Sequence, residues 1–258
     1  MNEAATQRQP VPQAGARIER IRHDLKRREL TVTDVVQVTP NMRRLTLAGN
    51  DLGDFVSASP DDHIKIFLPA SDGELAARDY TPRRYDTKAR QFVLDFALHD
   101  AGPATVWASQ AKSGDTLLIG GPRGSAVITG VRRWLLVGDE TALPAIGRRI
   151  EEAHQDEDVT VVAVVTGAAE EQSFDGMCRL RTTWVHRPLA RAADASPVLA
   201  ALAAVNIEGE TFAWIAAEAS VARAVRAYLT EKRNHPLTWL KASGYWLQGQ
   251  ADAHEKIE

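Results

Sequence analysis

The chain has 258 residues, with 31 Lys+Arg against 34 Asp+Glu for a formal net charge of −3, 44% hydrophobic residues and 25% charged residues. That is the profile of a soluble globular protein of one large or two ordinary domains, and the near-neutral balance argues against broad nucleic-acid binding. The single cysteine, Cys178, excludes an intrachain disulfide framework and a thiolate-ligated iron–sulfur cluster within one chain, which takes about four thiolates.

Residues 1–16 are rich in Gln, Ala and Pro and are expected to form a flexible tail. No apolar run approaches the ~20 residues that span a bilayer. The polar start (Gln7, Arg8, Gln9, Pro10) lacks the apolar core of a secretion signal, so a cytoplasmic protein with no membrane insertion is expected. From Arg17 to Arg28, six basic residues beside Glu19 and Asp24 read as a solvated basic segment, with contact to an anionic ligand as the alternative. Strands are then predicted from Leu30 to Val36, Met42 to Leu47, His63 to Leu68, Gln91 to Leu98 and Thr116 to Ile119. Phe92, Leu94, Phe96 and Leu98 share one face. One helix interrupts them near Ala104 to Ala111. Short strands separated by turns predict a small antiparallel barrel.

The second half changes period. Trp134 to Val137, Val159 to Val165 and Phe212 to Ala216 read as buried strands. Pro144 to His154, residues 197–204 and Val221 to Lys232 read as helices. Alternating strands and helices predict a doubly wound, mostly parallel sheet. With the change of rhythm near Gly120 to Gly130, the expected domains are residues 17–128 and 129–258.

Several short motifs suit chemistry on a flat, phosphorylated ligand. In Arg78-Asp79-Tyr80-Thr81, the arginine can grip a phosphate with two hydrogen bonds, and Tyr80, two residues on, shares its strand face and can lie against a planar ring. Thr81 adds a hydroxyl. His99-Asp-Ala-Gly102-Pro-Ala104-Thr105 runs from a Gly-Pro turn into a helix, whose first N–H groups favour an anion; Thr105 could serve only the helix start. Gly138-Asp139-Glu140-Thr141-Ala142 follows the Trp134 strand, where a dinucleotide-binding fold carries its glycine turn, although G-x-G-x-x-G is absent. Glu218, at the end of another predicted strand, can meet a ligand or cap a helix. Tyr245 and Trp246 can pack or face a flat cofactor.

Together these motifs resemble the siderophore-interacting protein family, FAD-containing ferric-siderophore reductases related more distantly to ferredoxin–NADP reductases. Arg22-His-Asp-Leu-Lys-Arg-Arg-Glu-Leu-Thr-Val and Asp61-Asp-His-Ile-Lys65 look especially like the NADPH-dependent ferric-chelate reductase branch, and the likeness spans roughly residues 20–250. The resemblance implies an antiparallel Greek-key FAD-binding barrel followed by a parallel-sheet NAD(P)-binding domain. It implies that Arg78, Tyr80 and Thr81 hold the phosphate, the ring face and the region near flavin N5. It places His99, Gly102, Ala104 and Thr105 on the adenine–pyrophosphate side, and Gly138, Asp139, Glu140, Thr141 and Ala142, with Glu218, at the nicotinamide dinucleotide. Tyr245 and Trp246 are counted among the cofactor contacts.

The activity this implies is hydride transfer from NADPH to FAD, then single-electron transfer to Fe(III) in a ferric siderophore or other ferric chelate, in the service of iron acquisition. The chelate brings its own iron ligands, which matches seven scattered histidines with no H-E-x-x-H. No general base is required. An anionic chelate calls for a local basic wall, and Lys65 and Arg123 are expected to supply it, with Arg83, Arg84 and Lys241 behind. Arg148, Arg149, Arg179 and Arg181 are available for the 2′-phosphate that distinguishes NADPH; NADH is the second choice. The alternatives are a flavin oxidoreductase whose partner is ferredoxin, free flavin or a quinone, and a siderophore-binding protein without turnover. No serine has glycine at both −2 and +2, so the hydrolase nucleophile elbow is absent.

Overall fold

The computed structural model describes residues 15–69, 75–98, 102–250 and 255–257. The first half forms a seven-stranded antiparallel sheet rolled around one core. Its strands are β2 (Arg27–Thr39), β3 (Met42–Ala48), β4 (Ile64–Pro69), β5 (Leu75–Tyr80), β6 (Arg84–Asp86), β7 (Gln91–Ala97) and β8 (Thr116–Gly120), in the order β5-β4-β8-β2-β3-β7-β6. The alternation predicted for Gln91 to Leu98 holds: Phe92, Leu94 and Phe96 are 0% exposed and meet Ile64, Ile66 and Leu68 of β4. Helix α1 (Pro103–Gln110) packs against β4 and β7 and closes this core with Ala104, Ala108 and Trp107.

The basic stretch from Arg17 to Arg28 is not simply a solvated segment. Its first part is β1 (Arg17–Arg22), which pairs antiparallel with β9 (Gly124–Thr129) in a separate two-stranded ribbon. Its last residue, Arg28, is buried and donates to the Asp51 carbonyl at 2.8 Å and to Asp54 at 2.8 Å. Exposed strands alternate charged and apolar residues just as a solvated coil can, so composition alone did not separate the two.

The second half is built on β10 (Arg133–Gly138), β11 (Asp158–Val165), β12 (Arg179–His186), β13 (Thr211–Glu218) and β14 (Leu240–Trp246), all parallel. A short antiparallel β15 (Glu255–Ile257) lies at the edge, in the order β12-β11-β10-β13-β14-β15. All eight residues of β13 are buried, which is why it reads as a continuous apolar run. Helix α2 (Leu143–Glu151) covers one face, over Trp134, Leu136, Phe212 and Trp214. Helices α3 (Ser196–Ala203) and α4 (Ala219–Ala227) cover the other, over Leu135, Val137, Ala213 and Ile215. Helix α4 starts two residues before the predicted Val221, and a π-helical turn, Tyr228–Lys232, completes the predicted span. Helix α2 stops at Glu151, three residues short of His154.

The halves meet on the α2 face through buried polar contacts. Arg148 of α2 donates to the Ser57 hydroxyl (2.8 Å), the Ser57 carbonyl (2.9 Å) and the Pro82 carbonyl (3.1 Å). Glu151 accepts from both Arg83 and Arg84 at 2.5–2.7 Å. Glu170 accepts from Thr39 (2.5 Å) and the Asn41 amide side chain (2.8 Å). Asp61 accepts from Trp214 (2.9 Å) and Lys241 (2.5 Å). Among the described residues no helix is long and apolar enough to cross a membrane.

Candidate functional site

The barrel side is built on β5 and α1. Strand pairing sets Tyr80 opposite Ile64 and Arg78 opposite Ile66, so both side chains share one sheet face. Tyr80 is half-buried, with its ring 4.5 Å from that of Phe96, which in turn lies 5.8 Å from Trp107 of α1. Burial pushes the Tyr80 hydroxyl well above its usual pKa, against the opposing charge of Arg78. It therefore stays a neutral ring with a polar tip. One Arg78 nitrogen donates to the Ala77 carbonyl at 2.8 Å. Thr81 is buried directly after the strand. The same stretch of core thus ties the Arg78–Tyr80 face to α1.

At the start of α1 no side chain caps the helix, and Pro103 occupies the first turn. The N–H groups of Ala104 and Thr105 are then helix-start donors without an intrahelical partner. A Cβ built on Gly102 would meet nothing within 4 Å. Open space beside unpaired N–H groups suits a phosphate, so the residues present fit FAD. His99 lies outside the described residues.

The α/β side is built at the C-terminal edge of the parallel sheet, where the strand order reverses between β10 and β13. Gly138 is required by packing: a Cβ there would lie 2.6 Å from the Ala142 Cβ and 2.9 Å from the Ala216 carbonyl oxygen. Asp139 is 2% exposed. Its Oδ1 accepts from the Thr141 N–H (3.0 Å) and hydroxyl (2.6 Å), and its Oδ2 from the Glu218 N–H (2.8 Å) and Trp246 Nε1 (2.9 Å). Glu218 caps α4 by accepting from the N–H groups of Ser220 (2.6 Å) and Val221 (3.3 Å). Glu140 pairs with Arg187 through two bonds of 3.1 and 2.9 Å; burial and the neighbouring Asp139 push it up to about 7, against the pull of Arg187. The turn after β14 crosses this edge, with the Gln248 N–H reaching Glu218 (3.4 Å) and its side chain reaching the Ala190 carbonyl (3.2 Å). Tyr245 packs edge-on to Trp214, and burial raises its hydroxyl well above the usual range. The tight glycine turn and the uncapped start of α2 fit a dinucleotide.

The proposed cations divide. Arg123 is exposed, in a loop with a cis Gly121–Pro122 bond. Lys65 pairs with Asp79 at 3.0 Å. Register puts that pair on the sheet face opposite Tyr80, although Gly120, next to the Arg123 loop, is the neighbour of Lys65 on β8. Arg83 and Arg84 are bound to Glu151 and Lys241 to Asp61; burial pushes the Asp61 carboxyl up, but Lys241 with the hydrogen bonds from Trp214 and Ser59 holds it below its usual range. Arg148 is committed to the barrel and Arg149 to Glu157. Arg179 pairs with Asp158, and with Arg181 it sits at the N-terminal end of β12. None of these four stands at the C-terminal edge of the sheet. Arg187, immediately after β12, does. Sequence reasoning passed over it because β12 was not recognised; the alternation of Leu180, Thr182 and Trp184 with Arg179, Arg181 and Thr183 was the available signal.

With this geometry in hand, likeness to known proteins is informative. Residues 131–249 match the family model described as siderophore-interacting protein, and residues 31–77 and 70–126 match the siderophore-interacting FAD-binding domain. The NADPH-dependent ferric-chelate reductase of Escherichia coli (strain K12) is 31% identical over 251 residues, covering 88% of this chain and 96% of its own. The crystal structure of a siderophore utilization protein from T. fusca superposes with a TM-score of 0.84 at 34% identity, over 92% of this chain and 98% of that one. The fold alone is shared with the cytochrome b5 reductase domain of Ulva prolifera nitrate reductase (TM-score 0.62, 13% identity, 83% of this chain and 96% of that one). The protein described here belongs to the siderophore-interacting protein family, with an antiparallel FAD-binding barrel joined to a parallel α/β domain.

Proposed function

We propose that this protein is a reductase that uses NADPH and FAD to reduce the iron of a ferric siderophore or related chelate. The observation that carries the reading is the shared face of Arg78 and Tyr80 beside the open, uncapped start of α1. The similarity to a relative named as an NADPH-dependent ferric-chelate reductase supports the choice of donor and acceptor. When bound, FAD supplies two-electron acceptance from NADPH and one-electron donation to Fe(III).

The chain's own residues do the positioning. Arg78 and the first N–H groups of α1 would hold the FAD phosphates, Tyr80 would offer its ring to the flavin, and Thr81 would lie alongside. Gly138, Thr141 and Ala142 would shape the turn that receives the dinucleotide, with Asp139 and Glu218 holding that turn to β13, α4 and Trp246. Glu140 and Arg187 would stand at the same edge, and Tyr245 would pack behind Trp246. Arg123 would attract an anionic chelate from outside the barrel, with Lys65 contributing through its half-buried pair with Asp79.

The test is spectroscopic. The FAD-loaded protein is expected to lose its visible flavin band on anaerobic addition of NADPH and to regain it on addition of a ferric chelate. A colourless protein that takes up no added FAD would overturn the reading. Charge reversal at Lys65 and Arg123 is expected to raise KM for an anionic ferric chelate and to leave KM for NADPH nearly unchanged.

A further inference from the structure

The helix that follows the dinucleotide turn also grips the strand link that follows the flavin residues. Helix α2 starts directly after Ala142. On it, Arg148 is 4% exposed and donates to the Pro82 carbonyl (3.1 Å), the Ser57 carbonyl (2.9 Å) and the Ser57 hydroxyl (2.8 Å). Pro82 comes directly after Thr81, in the link that joins β5 to β6. Glu151, three residues on along α2, takes the next residue of that link by accepting from Arg83 at 2.7 and 2.5 Å. Gly147 permits the approach, since a Cβ there would lie 2.8 Å from Arg83 Nη2. On its other side the link is tied to the sheet, with the Arg83 N–H donating to the Val93 carbonyl of β7 at 3.0 Å.

Arg148 is a costly choice for an interface that only has to stay shut. Among the described residues it bonds no carboxylate of the barrel; its three acceptors there are neutral oxygens. The one carboxylate it bonds, Glu152 (2.7 Å), belongs to its own helix and is 45% exposed. Burying a guanidinium costs desolvation, and well-packed apolar side chains of similar volume often stabilise as much or more. What an arginine adds is geometry, because its planar donors are fixed relative to one another. The acceptors are held as well: the Ser57 hydroxyl donates to Asp62 (2.9 Å), and the Tyr85 hydroxyl donates to the Ser57 carbonyl (2.9 Å). The link at Pro82 is therefore left one position relative to α2.

We propose that Arg148 is a positioning residue for hydride transfer. By fixing the Pro82 carbonyl to α2, it sets the placement of the Thr81 end of the flavin site relative to the turn at Gly138 to Ala142. The proposal rests on the reductase reading above, in which NADPH gives up a hydride to FAD and leaves as NADP+. A helix is stiff over the span from Ala142 to Arg148, about 9 Å, so the clamp carries its register from one cofactor site to the other. Register matters because a misplacement of about 1 Å can slow a reaction about a hundredfold. Arg148 touches neither cofactor in this scheme, so the binding of each alone does not depend on it.

The experiment compares Arg148→Met, Arg148→Lys and Ser57→Ala with the parent, each as the full-length protein loaded with FAD. It reads the affinities for FAD and, by calorimetry, for NADP+, and the change that saturating NADP+ makes in the flavin absorption band. It also reads two anaerobic rates: bleaching by saturating NADPH, and recovery when ferric citrate is added to the photoreduced protein. Arg148→Met is expected to slow bleaching at least about tenfold and to shrink the NADP+-induced spectral change, with both affinities and the recovery rate within about threefold of the parent. Arg148→Lys keeps the charge, loses the planar fork and should fall in between. Ser57→Ala removes one acceptor, should slow bleaching less, and keeps the test open should Arg148→Met fold poorly. Bleaching and a spectral change equal to the parent's in all three would overturn the proposal. So would a common loss of both affinities and both rates, which is what a merely stabilising contact gives. A parent whose flavin NADPH does not bleach would overturn the reductase reading, and the proposal with it.

Discussion

The two halves of the candidate site use their polar residues in opposite ways. At the α/β edge the conspicuous side chains are already satisfied by the protein itself. Asp139 accepts four hydrogen bonds, Glu218 caps α4, and Glu140 is paired with Arg187. On the barrel, donors are left open at the start of α1, and space is left beside Gly102. The acids of the α/β half therefore act as struts that hold its turns, and the open groups of the barrel half are backbone N–H donors at the start of α1. A motif residue can serve a ligand either by touching it or by holding what touches it, and the motif alone does not say which.

This contrast can be broken or sharpened by substitution. The largest effect is expected for Asp139→Ala. Four donors at the edge lose their acceptor, and the stability loss should be about 4 kcal/mol, read from the urea midpoint. A loss below about 1 kcal/mol would mean that Asp139 is not a strut. Gly138→Ala forces a Cβ against Ala142 and the Ala216 carbonyl and should cost about 1–3 kcal/mol, measured in the same way. On the barrel the readout is ligand binding: Arg78→Ala should weaken FAD binding roughly ten- to a hundredfold in a fluorescence titration. Unchanged FAD affinity would remove Arg78 from the site.

The last comparison concerns pH. Glu140 is raised from an ordinary value of 4.5 to about 7, so the folded chain keeps a proton that the unfolded chain has released above 4.5. Bound protons in excess in the folded state make stability fall as pH rises. This group should therefore lower stability progressively between about pH 4.5 and about pH 7 and add no slope above that. Glu140→Gln should flatten that slope in urea unfolding measured across the window, and a slope identical to the parent's would show that Glu140 titrates normally.

Much of the architecture was legible from local pattern. The strand at Gln91 to Leu98 announced its core face through Phe92, Leu94 and Phe96, and the apolar runs at Trp134, Val159 and Phe212 announced strands buried on both faces. Both signals arise because side-chain period follows backbone geometry. Less legible were β1 and β12, whose alternating arginines look like solvated charge until a partner strand is known. The motifs around Arg78, Gly138 and Glu218 stood out in the chain. The bland alternative weighed for Glu218, a helix cap, corresponds to the contacts it makes with Ser220 and Val221.

The sequence by itself determined the two-domain plan, because hydrophobic period is a local property, and its motifs carried the resemblance to the family. Only the tertiary structure decided which charges are available. Arg83, Arg84 and Lys241 were expected behind Arg123 in a basic wall and Arg148 was available for a 2′-phosphate, yet all four are bound to carboxylates or carbonyls across the domain interface, and Arg123 remains exposed. Pairing of that kind joins residues as far apart as Asp61 and Lys241. It follows from how the barrel sits on α2, and no local pattern encodes it.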